Sequence, residues 1–213
     1  MSTAREKILA RIQHALPKRE SNIEADYAAI RREYPISGTL DLTDKLALLE
    51  ERLRDYNTTV TRCTNTELPQ TIGTILSHHK KRTLIIPPGL PRHWLPEQFS
   101  FTVDDGLTYE QLDQCEGVLT GCTLAIAKTG TIVLRHSETE GRRALTLIPD
   151  YHLCIVYADQ VVETVVEGIR VMGQFATSPI TTISGPSATS DIEMTRIKGV
   201  HGPRILEVIL VTG

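Results

Sequence analysis

Strand-like and helix-like segments alternate along this chain and predict an α/β fold: a mostly parallel sheet with flanking helices. Three observations carry that prediction. Short runs rich in branched apolar residues recur at 58–63, 83–86, 153–157 and 205–211. Between the first two, Leu68, Ile72, Ile75 and Leu76 fall on one helical face, as do Leu46, Leu49 and Leu53 just before them. The composition, 40% hydrophobic and 23% charged over 213 residues, supports one sizeable core and not a disordered chain.

Taken in order, Thr3-Ala4-Arg5-Glu6 has the form of a capping box, and Ile8, Leu9, Ile12 and Leu16 follow at helical spacing until Pro17. The stretch after it is polar, with Tyr27, Ile30 and Tyr34 as anchors. Residues 1–40 are therefore expected to form an N-terminal helical arm, packed on the domain or on a second subunit, and residues 41–213 the α/β domain. Thr43-Asp44 is expected to cap the helix bearing Leu46, Leu49 and Leu53. Residues 99–103 read as a strand and 109–113 as a short polar helix. Two apolar runs, 124–127 and 131–134, flank Lys128-Thr129-Gly130 and predict a β-hairpin. Val161, Val162, Val165, Val166, Ile169 and Met172 predict a valine-rich helix.

Several classes of function are disfavoured. A net charge of −3 offers no footprint for nucleic acid or an anionic membrane surface. No apolar stretch approaches the length of a membrane span, and the charged N-terminus does not read as a signal peptide. The four cysteines, Cys63, Cys115, Cys122 and Cys154, form no Cys-x-x-Cys pair, so no iron–sulfur cluster or structural zinc is expected on this chain alone. Cys63 and Cys154 fall in strand-like runs, where reduced cysteine acts as a small hydrophobe. A cytoplasmic, reducing location is expected. Cys122 is a conceivable nucleophile, although no base is adjacent in sequence.

The densest polar chemistry lies near the C-terminus. Ser184-Gly185-Pro186-Ser187-Ala188-Thr189-Ser190-Asp191-Ile192-Glu193 follows one strand-like run, and His201-Gly202-Pro203-Arg204 precedes another. Ser187, Thr189 and Ser190 offer hydroxyls and backbone N–H groups at an expected helix start, which would suit phosphate or carboxylate, with Ser184 and Gly185 as further ligand-binding candidates in the turn before it. Equally, Ser187 or Thr189 caps a short helix, with Asp191 and Glu193 complementing its dipole. His201 and Gly202 form a turn whose histidine either moves protons or holds a backbone carbonyl, and Arg204 can grip an anion through two N–H groups. His201, Glu193 and Asp191 are the catalytic candidates. Thr129, Gly130 and Thr131 present donors at a sheet edge or simply turn the hairpin. Arg142 and His152 could join the same pocket from nearby loops.

Together, residues 121–134, Gly141-Arg142, residues 149–156, the Ser-Gly-Pro-Ser-x-Thr-x-Asp-Ile-Glu run and the Gly-Val-His-Gly-Pro-Arg run resemble the LUD family in its lactate-utilisation branch. The resemblance is strong over the C-terminal half and weak before it. It implies a fold like the NagB/RpiA/CoA-transferase group. It also implies a part in oxidising L-lactate to pyruvate, independently of NAD, beside iron–sulfur partner proteins that would carry the clusters. The small anionic ligand would be lactate, pyruvate or a phosphate-containing compound, and a homo-oligomer is compatible with this. One position departs from the pattern: the family commonly reads Ala-Glu-Thr-Gly-Thr where this chain has Ala127-Lys128-Thr129-Gly130-Thr131. The lysine reverses that charge and could favour an anionic ligand. Two other readings stay open: a free-standing enzyme acting on a phosphorylated sugar, nucleotide or CoA ester, and a non-catalytic interaction module.

Overall fold

The computed structural model describes residues 3–16, 23–31, 33, 35–175, 177–190, 196–198 and 202–213, with the backbone alone at 188–190 and 196–198. It divides into two compact units, Met1–Tyr34 and Pro35–Gly213. In the first, helix α1 (Ala4–Ala15) opens with the capping box read from the sequence, as Thr3 Oγ1 accepts from Glu6 N and the Glu6 carboxylate from Thr3 N. The α1 apolar residues Ile8, Leu9 and Ile12 are exposed, and a shorter helix, α2 (Ile23–Ala29), also buries none of its residues. Pro17 lies outside the described residues.

The second unit starts with helix α3 (Leu42–Asp55), capped by Asp41 and not by Thr43-Asp44, since the Asp41 carboxylate accepts from Asp44 N. Strand β1 (Thr59–Cys63), helix α4 (Leu68–His78), strands β2 (Thr83–Ile86) and β3 (Ser100–Val103), helix α5 (Tyr109–Asp113) and strand β4 (Val118–Thr120) follow. Next come β5 (Leu124–Ile126), β6 (Thr131–Leu134), β7 (Tyr151–Tyr157) and β8 (Val161–Val162), then helix α6 (Val165–Gly173) and β9 (Thr181–Ile183). The chain closes through β10 (Ala188–Ser190), β11 (Arg196–Lys198) and β12 (Ile205–Val211).

Six strands form one sheet in the order β1-β12-β7-β4-β2-β3, with every pairing parallel. The two longest strands, β7 and β12, lie in its middle and are buried on both faces, which is why they read as unbroken apolar runs. Strand alternation then sorts the core. Leu153 and Ile155 of β7 with Ile209 and Val211 of β12 face α4 and its stripe of Leu68, Ile72 and Leu76. Cys154, Val156, Leu206, Val208 and Leu210 face the other way, onto Leu46, Leu49 and Leu53 of α3.

On that second face lies a feature the sequence reading anticipated only in part. The hairpin β5–β6 forms as expected, but β8 and β9 extend it to a four-stranded mixed sheet, β8-β5-β6-β9. Ala125, Ile132 and Leu134 turn inward to the six-stranded sheet, while Leu124, Ile126 and Val133 turn outward toward Val171 and Met172 of α6. The two sheets thus stack with a helix layer outside each. The valine run is not one helix: Val161–Val162 is strand, and the helix starts only after Thr164, whose hydroxyl accepts from Glu167 N while Glu167 reaches back to Thr164 N. Thr164-x-x-Glu167 is a capping box, the local signal that separates the two elements.

A second correction concerns the expected helix start at Ser187–Thr189. The backbone there is strand β10, paired antiparallel with β11. Ser and Thr before a carboxylate suit a turn-flanked strand as well as an N-cap, and pairing with 196–198 decides between them. No described helix is long and apolar enough to cross a membrane.

Candidate functional site

A cavity of about 260 Å³ opens where β9 and the turn after it pass the amino ends of β7 and β12. Ser184, Gly185, Pro186 and Ser187 form one wall, Gly202 and Pro203 another, and Arg143, Thr146, His152 and Leu206 complete it with Thr181, Thr182 and Ile183 of β9. Ligands of open parallel sheets usually lie beyond the carboxyl ends of the strands. This cavity is at the opposite end, because the second sheet returns the chain there.

The two Gly-Pro runs do meet. Ser187 N donates to Pro203 O at 2.8 Å, and a Cβ added at Gly202 would stand 3.5 Å from the Ser187 Cβ. Gly185 adopts φ +84°, and a Cβ there would fall 2.5 Å from the Tyr56 Cβ, so the turn needs glycine for both backbone and space. A file of hydroxyls joins this wall to the hairpin: Thr129 Oγ1 to Thr131 Oγ1 at 2.8 Å, then Thr131 Oγ1 to Ser184 Oγ at 2.8 Å. Thr129 and Thr131 therefore support the wall from behind. Gly130 sits in the left-handed region at φ +58°, and α3 passes so close that an added Cβ would lie 2.9 Å from the Arg52 backbone. Its role is close packing.

Other sequence candidates are placed elsewhere. Arg142 is spent on Asp104, with Nε to Oδ2 at 2.8 Å and Nη2 to Oδ1 at 3.0 Å, and it also donates to Leu107 O. It does not line the cavity; Arg143, the next residue, does. Arg204 pairs loosely with Asp150 at 3.5 Å on the exposed surface. His201, Glu193 and Asp191, and the Thr189 side chain, lie outside what the structure describes. Cys122 is a poor nucleophile: neighbouring Cys154 and burial push its thiol up. Cys154 is pushed down in turn, by Cys122 first and by His152 and Thr120 besides.

Lys128 has a local answer. Its ammonium lies 3.1 Å from the Glu163 carboxylate, which also accepts from the Thr39 and Leu40 N–H groups. The Leu40 N–H first, with Lys128 among the lesser causes, holds the Glu163 carboxyl below its ordinary value. Lys128 is thus a partner of a buried glutamate, away from the cavity lining.

His152 is the residue whose weight the sequence understated. Expected on a loop, it is the second residue of β7, wholly buried, with Nε2 2.8 Å from Thr120 Oγ1. Its Nδ1 is also buried and meets no hydrogen-bond partner among the described residues. Buried polar atoms are nearly always paired, and an orphan beside a cavity marks a place for a ligand or water. Arg143, Thr146, Thr181 and Thr182 were missed, since nothing local in the sequence marks them, and the burial of Thr146 comes only from the fold. Among the described residues, no group of three or more His, Cys, Asp or Glu side chains is arranged to hold a metal ion.

A parallel six-stranded sheet stacked on a smaller mixed sheet, with a polar cavity at their shared edge, defines an α/β domain of a recognisable kind. The chain belongs to the LUD-domain family, whose domain matches residues 46–211. It is 44% identical over 181 residues to lactate utilization protein C of Deinococcus radiodurans, spanning 84% of each chain. It is 25% identical to lactate utilization protein C of Geobacillus kaustophilus, over 98% of this chain and 96% of that one. The crystal structure of a DUF162 family protein from Deinococcus radiodurans resembles it with a TM-score of 0.72 at 39% identity, covering 82% of this chain and 100% of the other.

Proposed function

We propose that this chain serves the utilisation of lactate by binding a small organic acid, lactate or pyruvate, in the cavity beside His152. It would act as a subunit or accessory protein of an L-lactate to pyruvate oxidation system. Oxidation of lactate to pyruvate releases two electrons and two protons, and in this reading iron–sulfur partner proteins take the electrons. The observation that carries the reading is the cavity itself. Its volume of about 260 Å³ is below the range of drug-sized sites, and its lining combines serine, threonine and histidine, two Gly-Pro turns and Arg143 with apolar Ile183 and Leu206. That mixture suits a carboxylate on a two- or three-carbon body. Two of the relatives above carry the name lactate utilization protein C, which supplies the biological context.

The phosphorylated-ligand alternative loses its main support, because the chain after Ser187 enters strand β10 and not a helix, and Ser187 N is already spent on Pro203 O. Titration of the purified full chain with L-lactate, pyruvate, a sugar phosphate and a CoA ester separates the readings. Stabilisation and cavity-centred NMR shifts with the first two are expected, with Arg143→Ala weakening binding about tenfold. Response only to the phosphorylated compounds would move the assignment to a free-standing enzyme. Co-purification of iron–sulfur proteins with the chain, and electron transfer from lactate only in the reconstituted mixture, tests the partner half.

A further inference from the structure

The orphaned Nδ1 of His152 has a definable donor and acceptor character, because the other ring nitrogen belongs to a directed file of hydrogen bonds. His152 Nε2 meets Thr120 Oγ1 at 2.8 Å, and the Thr120 hydroxyl is itself placed to donate to Cys154 Sγ at 4.0 Å. The Cys154 thiol is placed to give its own hydrogen to Gly121 O at 3.7 Å, which leaves its sulfur lone pairs facing the Thr120 hydroxyl. With its one proton directed at sulfur, the Thr120 oxygen receives the Nε2–H of the ring. The tautomer that follows carries its hydrogen on Nε2 and a lone pair on Nδ1. That lone pair is wholly buried, has no partner among the described residues, and belongs to a residue lining the cavity.

Such an atom asks for an O–H or N–H donor and penalises any ligand that brings only lone pairs. We propose that His152 is the specificity-determining residue of the cavity, accepting the hydroxyl of a 2-hydroxy acid and so favouring it over the corresponding 2-oxo acid. This rests on the reading that the cavity binds a small organic acid, and adds which oxidation state it prefers. The carboxylate engages the donor wall and Arg143, while the hydroxyl donates to Nδ1. In the oxo acid a carbonyl oxygen would face that nitrogen lone pair to lone pair. Sites built to pair a substrate hydroxyl discriminate against analogues lacking it more strongly than shape alone allows, because the polar group of the protein is left unpaired.

The test uses the full chain labelled with ¹⁵N-histidine, with His152 assigned from the resonance lost in His152→Gln. Expected first is an unprotonated Nδ1 in the free protein, whose signal moves on addition of L-lactate and not of propionate. By calorimetry L-lactate is expected to bind about tenfold or more tighter than either pyruvate or propionate. In His152→Gln, whose amide can keep the Thr120 bond, that ratio falls to within about twofold while propionate affinity holds. Should the variant fail to fold, the three-ligand ratio of the wild-type chain decides the matter alone. A protonated Nδ1, or equal affinity for the three acids with cavity resonances shifting, overturns the role of His152 and leaves the binding reading intact. Failure of all three acids to bind at the cavity overturns both.

Discussion

Two polar regions of this domain look alike in sequence and opposite in structure. Around Glu163, every strong group is matched: the carboxylate takes the N–H groups of Thr39 and Leu40 and the Lys128 ammonium, and the adjoining Glu167 takes those of Gly38, Glu163 and Thr164. Glu140 is similar, fully buried with Thr123 Oγ1, Arg135 N and Ser137 N around it. At the cavity, by contrast, His152 keeps a buried nitrogen unmatched among the described residues. Saturated clusters hold loops in place, since each donor removed from water has found an acceptor. An unsaturated one beside open space is where a ligand gains most. Polarity gathers in both regions, and only the unspent hydrogen-bonding capacity tells them apart.

The largest effect should come from emptying a saturated cluster. Glu140→Ala leaves three donors without their acceptor and is expected to destabilise the fold by about 3 kcal/mol or more, read from urea unfolding at neutral pH. An unchanged midpoint would mean the cluster is not structural. Gly185→Ala follows, with a predicted loss of about 1–3 kcal/mol, because the new Cβ must occupy a left-handed turn already pressed against Tyr56. Unlike Glu140→Ala, it should also weaken small-acid binding at a temperature where the fold is intact.

Acid tests the Glu163 corner without mutation. Glu163 and Glu167 both ionise more readily in the folded chain than at the ordinary glutamate value of 4.5, chiefly through the Leu40 and Gly38 backbone N–H groups respectively. Their contribution is therefore complete above pH 4.5 and is lost as pH falls from there through the lowered folded values. Unfolding free energy measured from pH 7 to 3 should drop below about pH 4.5, and Glu163→Gln should flatten that drop. A variant curve parallel to the wild type would remove Glu163 from the argument. The smallest effect belongs to Lys128→Met. Its side chain is 43% exposed, so the loss should be only about 0.2–1 kcal/mol, with acid binding at the cavity unaltered. A marked change in ligand affinity would instead return Lys128 to the site.

Adjacent residues show what sequence could and could not disclose about the site. Ser184-Gly185 and Gly202-Pro203 were legible as turns because glycine and proline constrain the backbone whatever surrounds them. Arg142 and Arg143 were not separable: one turns to Asp104 and the other to the cavity, a difference of direction and not of chemistry. His152 sits in an apolar run where a single histidine usually satisfies its own neighbours. Its importance appears only when the partners of both ring nitrogens are counted.

Sequence by itself determined the parallel sheet, its central strands and the helices on its α4 face, because burial on both faces demands unbroken apolar runs and a helix demands its own period. Tertiary structure alone decided that β8 and β9 extend a hairpin into a second sheet, and that the cavity opens at the amino ends of β7 and β12. Those outcomes depend on pairings between segments tens of residues apart. Strand pairing is written in backbone hydrogen bonds, which every residue but proline can make, so no local pattern of side chains announces which partner a short strand will find.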